Sequence, residues 1–293
     1  LRLALFEAAK KESLINWHAP SKILERKRGE TEVSATLESG VELTAELMVG
    51  AEGRFSPSRE EEGLKMAKWD YGHRALIVGL NHTKSHDNIA WEIFYPAGPF
   101  AILPMLDDEN GIHRSSLVWT VNEKDANGML KLSKRAFLTE IRKRIGELLG
   151  HIEINSEISS YPLSLQHTAK IIGNRLALVG DSAHGMHPIA GQGLNLGLRD
   201  VGALVEVFEE ARSIGLELSN PEMLKKYENW RALDAMMVMG ATDGLTRLFG
   251  ISGNAASVFR RIGMAGVQRM PSLKNWFMDE ARGVAGDSPR LLQ

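Results

Sequence analysis

The sequence predicts a mixed α/β and α+β fold, an α/β layer with an antiparallel sheet domain inserted into it. Three observations carry this prediction. Short strand-like runs crowd together between residues 32 and 122, too closely spaced for crossover helices. A fully apolar run, "RLALVG", leads through a glycine-rich stretch into a long amphipathic segment. Everything beyond Asn220 reads as helix.

Each element follows from its pattern. "LRLALFEAAKKE" opens as a helix with Leu1, Leu5 and Ala8 on one face. "EVSATLES" and "VELTAELMVGAEG" alternate as strands around the Ser39-Gly40 turn. "RALIVGLNH", "IAWEIFYPAGPFAILPML" and "HRSSLVWTV" form the second strand block, broken at Gly98, Pro99 and the Asp107 to Gly111 turn. Residues 70 to 122 are therefore expected to form an antiparallel sheet lining an apolar pocket. Its aromatics Trp91, Phe94, Tyr95, Phe100 and Trp119 divide by strand alternation between the core and the pocket side.

Residues 133 to 149 turn helical, "ISSYPLSLQ" returns to strand, and "RLALVG" reads as a fully buried strand. The next helix carries Leu194, Leu198, Val201, Val205 and Phe208 as an expected core stripe. Asn220-Pro221 starts the last helical region, since proline at the first position forfeits only an amide that would be unpaired anyway. Met236, Met237 and Met239 are expected to fill core there. The predicted division is 1–69, 70–164, 165–215 and 216–293, the first and third parts making one layer, the second the inserted sheet and the fourth a helical region.

Composition narrows the function classes. The 293 residues are 43% apolar and 25% charged, ordinary for a folded domain. A net charge of −2 offers no field for nucleic acid. With no cysteine, disulfides, thiolate catalysis and zinc–thiolate sites are excluded together. No apolar run approaches the ~18 residues of a spanning helix, and no signal peptide stands at the start. Leu1 falls inside a helical pattern, so the chain is expected to begin partway through a fold.

The stretch "GDSAHGMHPIAGQGLNLGLRD" (180–200) holds far more glycine than a strand-to-helix connection requires. Asp181 stands just past the carboxyl end of a buried strand, where open α/β sheets place ligands and where a carboxylate can accept from a pair of hydroxyls. Gly191, Gly193 and Gly197 straddle the helix start, letting the backbone and its free amides approach a flat or anionic ligand. A lone Gly-x-Gly would read as close packing of helix on sheet; the combined Gly-Asp, His-Pro and Gly-Gln-Gly pattern favours a ligand site. "VGAEGRFSPSR" (49–59) adds a second constellation, with Gly50 and Gly53 around Glu52 directly after a strand, then Ser56 and Arg59. Glu60 to Glu62 read as a solvated face. His184 and His187 have ligand-like spacing without a third partner, which favours pocket lining over metal. His82 and His86 fall in a polar loop and read as solvated. No metal site and no hydrolase pair emerge.

Together these motifs resemble the FAD-dependent aromatic hydroxylases with the p-hydroxybenzoate hydroxylase fold. "HPIAGQGLNLGLRD" resembles the signature of the ubiquinone-biosynthesis branch, closest to the polyprenyl-6-methoxyphenol hydroxylases, and "EIFYPAGPFAILPML", "YPLSLQHTAK" and "YENWRALDAMMVMGATDGLTRLF" agree with it over essentially the whole chain. The resemblance implies that Asp181, after Gly180, binds the FAD ribitol. It implies that Gly191, Gln192, Gly193, Leu194 and Asn195 present backbone to the isoalloxazine, with Pro188 beside the substrate ring. Gly50, Glu52, Gly53 and Arg59 would serve near the pyrophosphate and the nicotinamide, with Glu52 standing where the family carries Asp.

It further implies NAD(P)H or another reductant as electron donor, O2, a flavin C4a-hydroperoxide and a polyprenylated phenol as substrate. The location implied is cytoplasmic, peripheral to the inner membrane, with contacts to other ubiquinone-biosynthesis proteins or self-association. The family's opening Gly-x-Gly-x-x-Gly unit is not found in this sequence, so the fold is expected to be N-terminally truncated and FAD binding by this chain alone weak. A non-catalytic lipid-quinone binding or assembly subunit, or another isoprenoid-acting flavoprotein of the same fold, are the alternatives.

Overall fold

The computed structural model describes residues 2–95, 98–185, 191–250, 269–272, 275 and 288–293, except for the side chains of 241–243 and 245–250. Helix α1 (Arg2–Lys11) comes first and buries none of its side chains. Strands β1 (Ile23–Arg28), β2 (Val33–Leu37) and β3 (Glu42–Ala45) form an antiparallel three-stranded sheet. The β2–β3 turn passes through Gly40 at φ +82°, a conformation that favours glycine. β1 carries the basic run "ILERKR" and lacks the alternation that marks the other two strands.

Strand β4 (Met48–Gly50) and the short helix α2 (Pro57–Glu61) lead into the large sheet. That sheet comprises β5 (Met66–His82), β6 (Trp91–Tyr95), β7 (Gly98–Met105), β8 (His113–Asn122), β9 (Ile152–Ile154), β10 (Ser159–Thr168) and β13 (His184–Gly185). Its order is β13-β10-β5-β8-β7-β6 with β9 also on β5, antiparallel throughout, as the close spacing of the runs predicted. β5 extends well upstream of the apolar run that announced it, because β10 pairs along its first half.

Helices α3 (Glu123–Leu130) and α4 (Lys134–Ile145) cover one face of this sheet. Ser133 caps α4 by accepting from the Ala136 amide, and Phe137, Ile141 and Ile145 repeat at four-residue steps on its buried side. They meet Leu76, Val78 and Leu80 of β5, Phe100 and Ile102 of β7, and Trp119 of β8. Strand alternation sends Ala75 and Ile77 to the opposite face, where with Val118 they line a cavity.

A third sheet joins distant parts of the chain. β11 (Ile172–Gly173) and β12 (Leu176–Leu178) form a hairpin, and β12 runs parallel to β4 with Leu178 opposite Gly50. Leu176, Ala177 and Leu178 are all fully buried, as their unbroken apolar run predicted. Helices α5 (Gln192–Ser213) and α6 (Pro221–Gly250) pack on this sheet, and the Asn220 side chain caps α6 by accepting from the amides of Glu222 and Met223.

Three expectations are corrected. The buried side of α5 is Leu196, Ala203, Leu204, Val207 and Ala211, while of the expected stripe Leu194, Leu198 and Val201 face outward and Phe208 packs against the core; periodicity alone did not separate the two apolar faces. Of the three methionines on α6, Met239 is buried, whereas Met236 is 62% exposed and Met237 is also exposed. His82 and His86 are buried, not solvated. The length of β5 carries His82 into the sheet, where it bonds to Ser115 and the Lys84 carbonyl, and His86 bonds to the Met105 carbonyl.

Phe100 is fully buried between Tyr95 and Trp119. Phe100→Ala is expected to cost about 3–5 kcal/mol, read as a lowered midpoint in urea unfolding followed by tryptophan fluorescence.

Candidate functional site

Two loops, one after β4 and one after β12, lie side by side because their strands are parallel neighbours. The Val179 amide donates to the Gly50 carbonyl, and the Glu52 amide donates to Ser182 Oγ at 2.8 Å. A Cβ at Gly50 would lie 2.8 Å from Leu178 Cδ2, so a larger residue there would force the buried Leu178 side chain to shift. Gly53, at φ +78°, turns its carbonyl toward Ser182 Oγ.

The Glu52 carboxylate organises its own loop. It accepts from Ser56 Oγ, the Ser58 amide and Ser58 Oγ, and pairs with Arg26 of β1 at 2.9 Å. Arg59 is buried, and its guanidinium donates to the carbonyls of Ser182 and Arg54. It ties the two loops together. Glu61 and Glu62, read from sequence as solvated, pair with Arg26 and Arg28, because the basic strand β1 passes beneath them.

Asp181 follows Gly180, which adopts φ +61° in a single turn of 3-10 helix. The side chain of Asp181 is 42% exposed and meets Arg54 Nε at 3.2 Å. Arg54 also donates from Nη1 to the carbonyl and hydroxyl of Ser164 on β10. No sequence reasoning had singled out Arg54; the only signal was its position beside Gly53 in the loop after β4.

Gly180 is held from behind. Its amide donates to Asp200 Oδ2 at 2.9 Å, and Asp200 Oδ1 accepts from Arg231 Nε at 2.7 Å. Both side chains are 0% exposed. Asp234 pairs with both Arg231 and Arg199, extending the network along α5 and α6. Burial pushes the Asp200 carboxyl up to about 6, and Arg231 and the Gly180 amide pull against that shift. Gly197 allows α5 to cross directly over the turn: a Cβ on it would lie 3.2 Å from Gly180 Cα.

The amino end of α5 begins at Gly191. Gly191 stands at its cap at φ +64°, and among the described residues no side chain caps it. A Cβ at Gly191, at Gly193 or at Gly53 would meet nothing within 4 Å. Leu194 is exposed, and Asn195 Nδ2 donates to Oε1 of the buried Gln192. Pro188 and His187 lie outside the described residues.

Beside Arg54 a cavity of about 460 Å³ opens on the large sheet. Ala75, Ile77 and Val118 form its apolar floor, while Tyr161 and Leu163 of β10 and Phe55 enclose it. Lys68, Asp70 and Gln166 supply its polar edge. Among the described residues no group of three or more ligating side chains could hold a metal.

His184 is 2% exposed and stacks on His167 with ring centroids 5.6 Å apart. Among the described residues neither of its ring nitrogens has a hydrogen-bond partner. Burial drives its pKa down to about 3, with His167 and Arg231 adding to the shift.

The family-level comparison agrees with these motifs. Residues 3–242 match the model of the FAD binding domain, and the chain belongs to that family. It is similar to the ubiquinone hydroxylase UbiL of Rhodospirillum rubrum, 41% identical over 278 residues, covering 94% of this chain and 64% of that protein. It is also similar to the 3-demethoxyubiquinol 3-hydroxylase of Escherichia coli, 29% identical over 97% of this chain and 71% of that protein. The chain thus spans about two thirds of the length of these curated relatives. Among solved structures, p-nitrophenol 4-monooxygenase PnpA of Pseudomonas putida superposes with a TM-score of 0.76 at 17% identity, over 97% of this chain and 71% of that one. At that identity the likeness shows the fold alone, that of the FAD-dependent monooxygenases.

Two outcomes test the network. Arg231→Met leaves the Asp200 charge buried without its partner and should cost about 3–5 kcal/mol, measured by chemical unfolding at neutral pH. His184 has a folded pKa below its unfolded value of 6.5, so the unfolded chain binds the extra proton first. Its contribution to stability is complete above pH 6.5 and is lost as pH falls toward about 3. His184→Gln should flatten this acid limb, which otherwise falls by about 1.4 kcal/mol per pH unit, in melting curves across that window.

Proposed function

We propose that this chain carries the ribitol- and ring-binding side of an FAD-dependent monooxygenase that hydroxylates a polyprenylated phenol in ubiquinone biosynthesis. The observation that carries the reading is the junction at Arg54. There Asp181, just past the end of a buried strand, meets Arg54, which lines an apolar cavity on the sheet. In this reading residues 1–69 and 165–215 belong to the cofactor layer, 70–164 to the substrate sheet and 216–293 to a helical region.

The residues present fit the cofactor. Asp181 offers a partly exposed acceptor for vicinal hydroxyls, and three glycines face open space where a flat ring could lie against backbone. FAD, when bound, supplies the redox and oxygen-activating chemistry. This chain's residues do the rest. Asp181 accepts from the ribitol, held in place through Gly180 by Asp200. The first-turn amides of α5, around Gly191 to Asn195, stabilise negative charge on the ring edge. Ala75, Ile77 and Val118 exclude water from the reacting face and align the substrate ring.

Glu52 and Arg59 act in this reading by shaping the loop after β4, with Gly50 and Gly53, rather than by direct contact through their engaged polar groups. A polyprenyl tail partitions into lipid, so the reading includes peripheral contact with a membrane surface. Among the described residues no helix is long and apolar enough to cross one. NAD(P)H or another reductant, O2 and other proteins of the same pathway complete the proposed partners.

Asp181→Ala in the flavin-loaded protein is expected to weaken FAD binding about tenfold, the loss of one to two hydrogen bonds to a charged acceptor. Flavin fluorescence titration measures it. An unchanged affinity with an unchanged melting temperature would remove Asp181 from the cofactor site.

A further inference from the structure

We propose that residues 83–90, the loop from β5 to β6, form a latch that a proton on His86 opens. The proposal does not depend on the flavin reading. His86 is buried at the His82 end of the large sheet. Its ring, that of His82 on β5 and that of His113 on β8 lie with centroids 5.7, 6.0 and 6.1 Å apart.

Two bonds fix the state of His86. Its Nε2 lies 3.0 Å from the Met105 carbonyl, which can only accept, so Nε2 carries the hydrogen. Its Nδ1 accepts from the Asn88 amide at 3.1 Å and therefore carries none. The ring is neutral in this conformation, with both nitrogens used. A second proton has to go on Nδ1, where it would face the Asn88 N–H, donor against donor.

The neighbouring rings differ. His113 Nδ1 faces the Asp107 carboxylate at 3.0 Å, and a proton gained at Nε2 leaves that bond in place. His82 donates from Nδ1 to the Lys84 carbonyl, and its Nε2 meets Ser115 Oγ, a hydroxyl that can turn from donor to acceptor. Burial lowers the pKa of His82; its bond to the Lys84 carbonyl opposes the shift, and His86 and His113 add to it. Of the three rings, His86 is the one whose protonation breaks a bond. The remaining charged groups at this end are engaged elsewhere. Lys84 donates to the Glu147 carbonyl, and Arg114 to the carbonyls of Leu106 and Asp107. Asp108 accepts from the amides of Asn110 and Ile112, His151 pairs with Glu153, and Asp87 is exposed.

The bond at stake holds a backbone that needs holding. Asp87 and Asn88 both stand in the left-handed region, at φ +49° and +56°, and two such non-glycine residues in succession persist only where their surroundings impose it. The Ile89 amide donates to the His86 carbonyl and the Asp87 amide to Ser85 Oγ, so the chain turns tightly about the ring. Upstream, the amides of Thr83 and Lys84 donate to the carbonyls of His151 and Leu149, which confines the opening to residues 85–90. The closed loop holds His86 with one proton and the open loop allows two. Acid therefore favours the open form, by about tenfold per pH unit once the released imidazole is charged.

The test exploits a chain without cysteine, in which a single introduced one can carry a nitroxide. Ile89→Cys puts the label at an exposed position of the loop, and Thr139→Cys puts a reference on the exposed side of α4. Electron paramagnetic resonance of the full chain from pH 8 to pH 5 should show the loop label passing from an immobile to a mobile spectrum, with the reference unchanged. His86→Gln should abolish this pH response, whichever spectrum it shows, and His113→Asn should keep it.

A response that survives in His86→Gln overturns the proposal, as does one lost in His113→Asn. A loop label with the same spectrum at every pH overturns it too. So does mobilisation of both labels together, which marks general loosening of the fold instead of a latch.

Discussion

The ion pair between Asp200 and Arg231 is the constraint on which the arrangement of the site rests. Two charges taken wholly out of water are expensive, and their mutual attraction offsets that cost only when the remaining lone pairs and protons are also satisfied. Here the second carboxylate oxygen accepts from the Gly180 amide, so one side chain joins α5, α6 and the turn after β12, and Arg231 Nη1 pairs with Asp234, although among the described residues its Nη2 has no hydrogen-bond partner. The turn needs such an anchor. Gly180 sits in the left-handed region, and the direction of Asp181 depends on its staying there. The charges of the network thus act by fixing the backbone that presents the exposed carboxylate.

The loop after β4 is shaped by a second set of interactions with the same logic. Glu52 gathers Ser56, Ser58 and Arg26, while Arg59 reaches across to Ser182. Of these, Glu52 and Arg59 were expected near a ligand, and many of their polar atoms are engaged by protein. What they deliver to the site is Arg54. A polar residue close to a motif can thus work by shaping the motif's backbone, and a sequence pattern does not distinguish that from direct contact.

Legibility followed burial on one side and strong alternation on the other. β12 was plain because three consecutive apolar residues are needed where both faces are covered. The strands of the large sheet were plain because one face packs on α4 and the other does not. β1 was missed since its "ILERKR" pattern serves ion pairs with Glu52, Glu61 and Glu62, partners remote in sequence. The sides of α5 were confused because the helix is apolar on two faces, and only packing against β12 decides between them. At the candidate site, Asp181 and the glycines were legible from their position after a strand. The Asp200–Arg231 pair and Arg54 were not, since their meaning depends on tertiary neighbours.

The parallel pairing of β4 with β12 carries a kinetic consequence. Leu178 meets Gly50 across the whole span of the large sheet and its helices. Closing so long a loop is slow to be rewarded, although the entropy of closure grows only logarithmically with length. The large sheet, whose hairpins β6–β7 and β7–β8 are local, can collapse first and bring the ends of β4 and β12 near each other. The two loops of the site would then be among the last parts of the chain to take shape during folding. A ribosome releasing this chain would present strands β5 to β8 for pairing long before Asp181 emerged to meet Arg54.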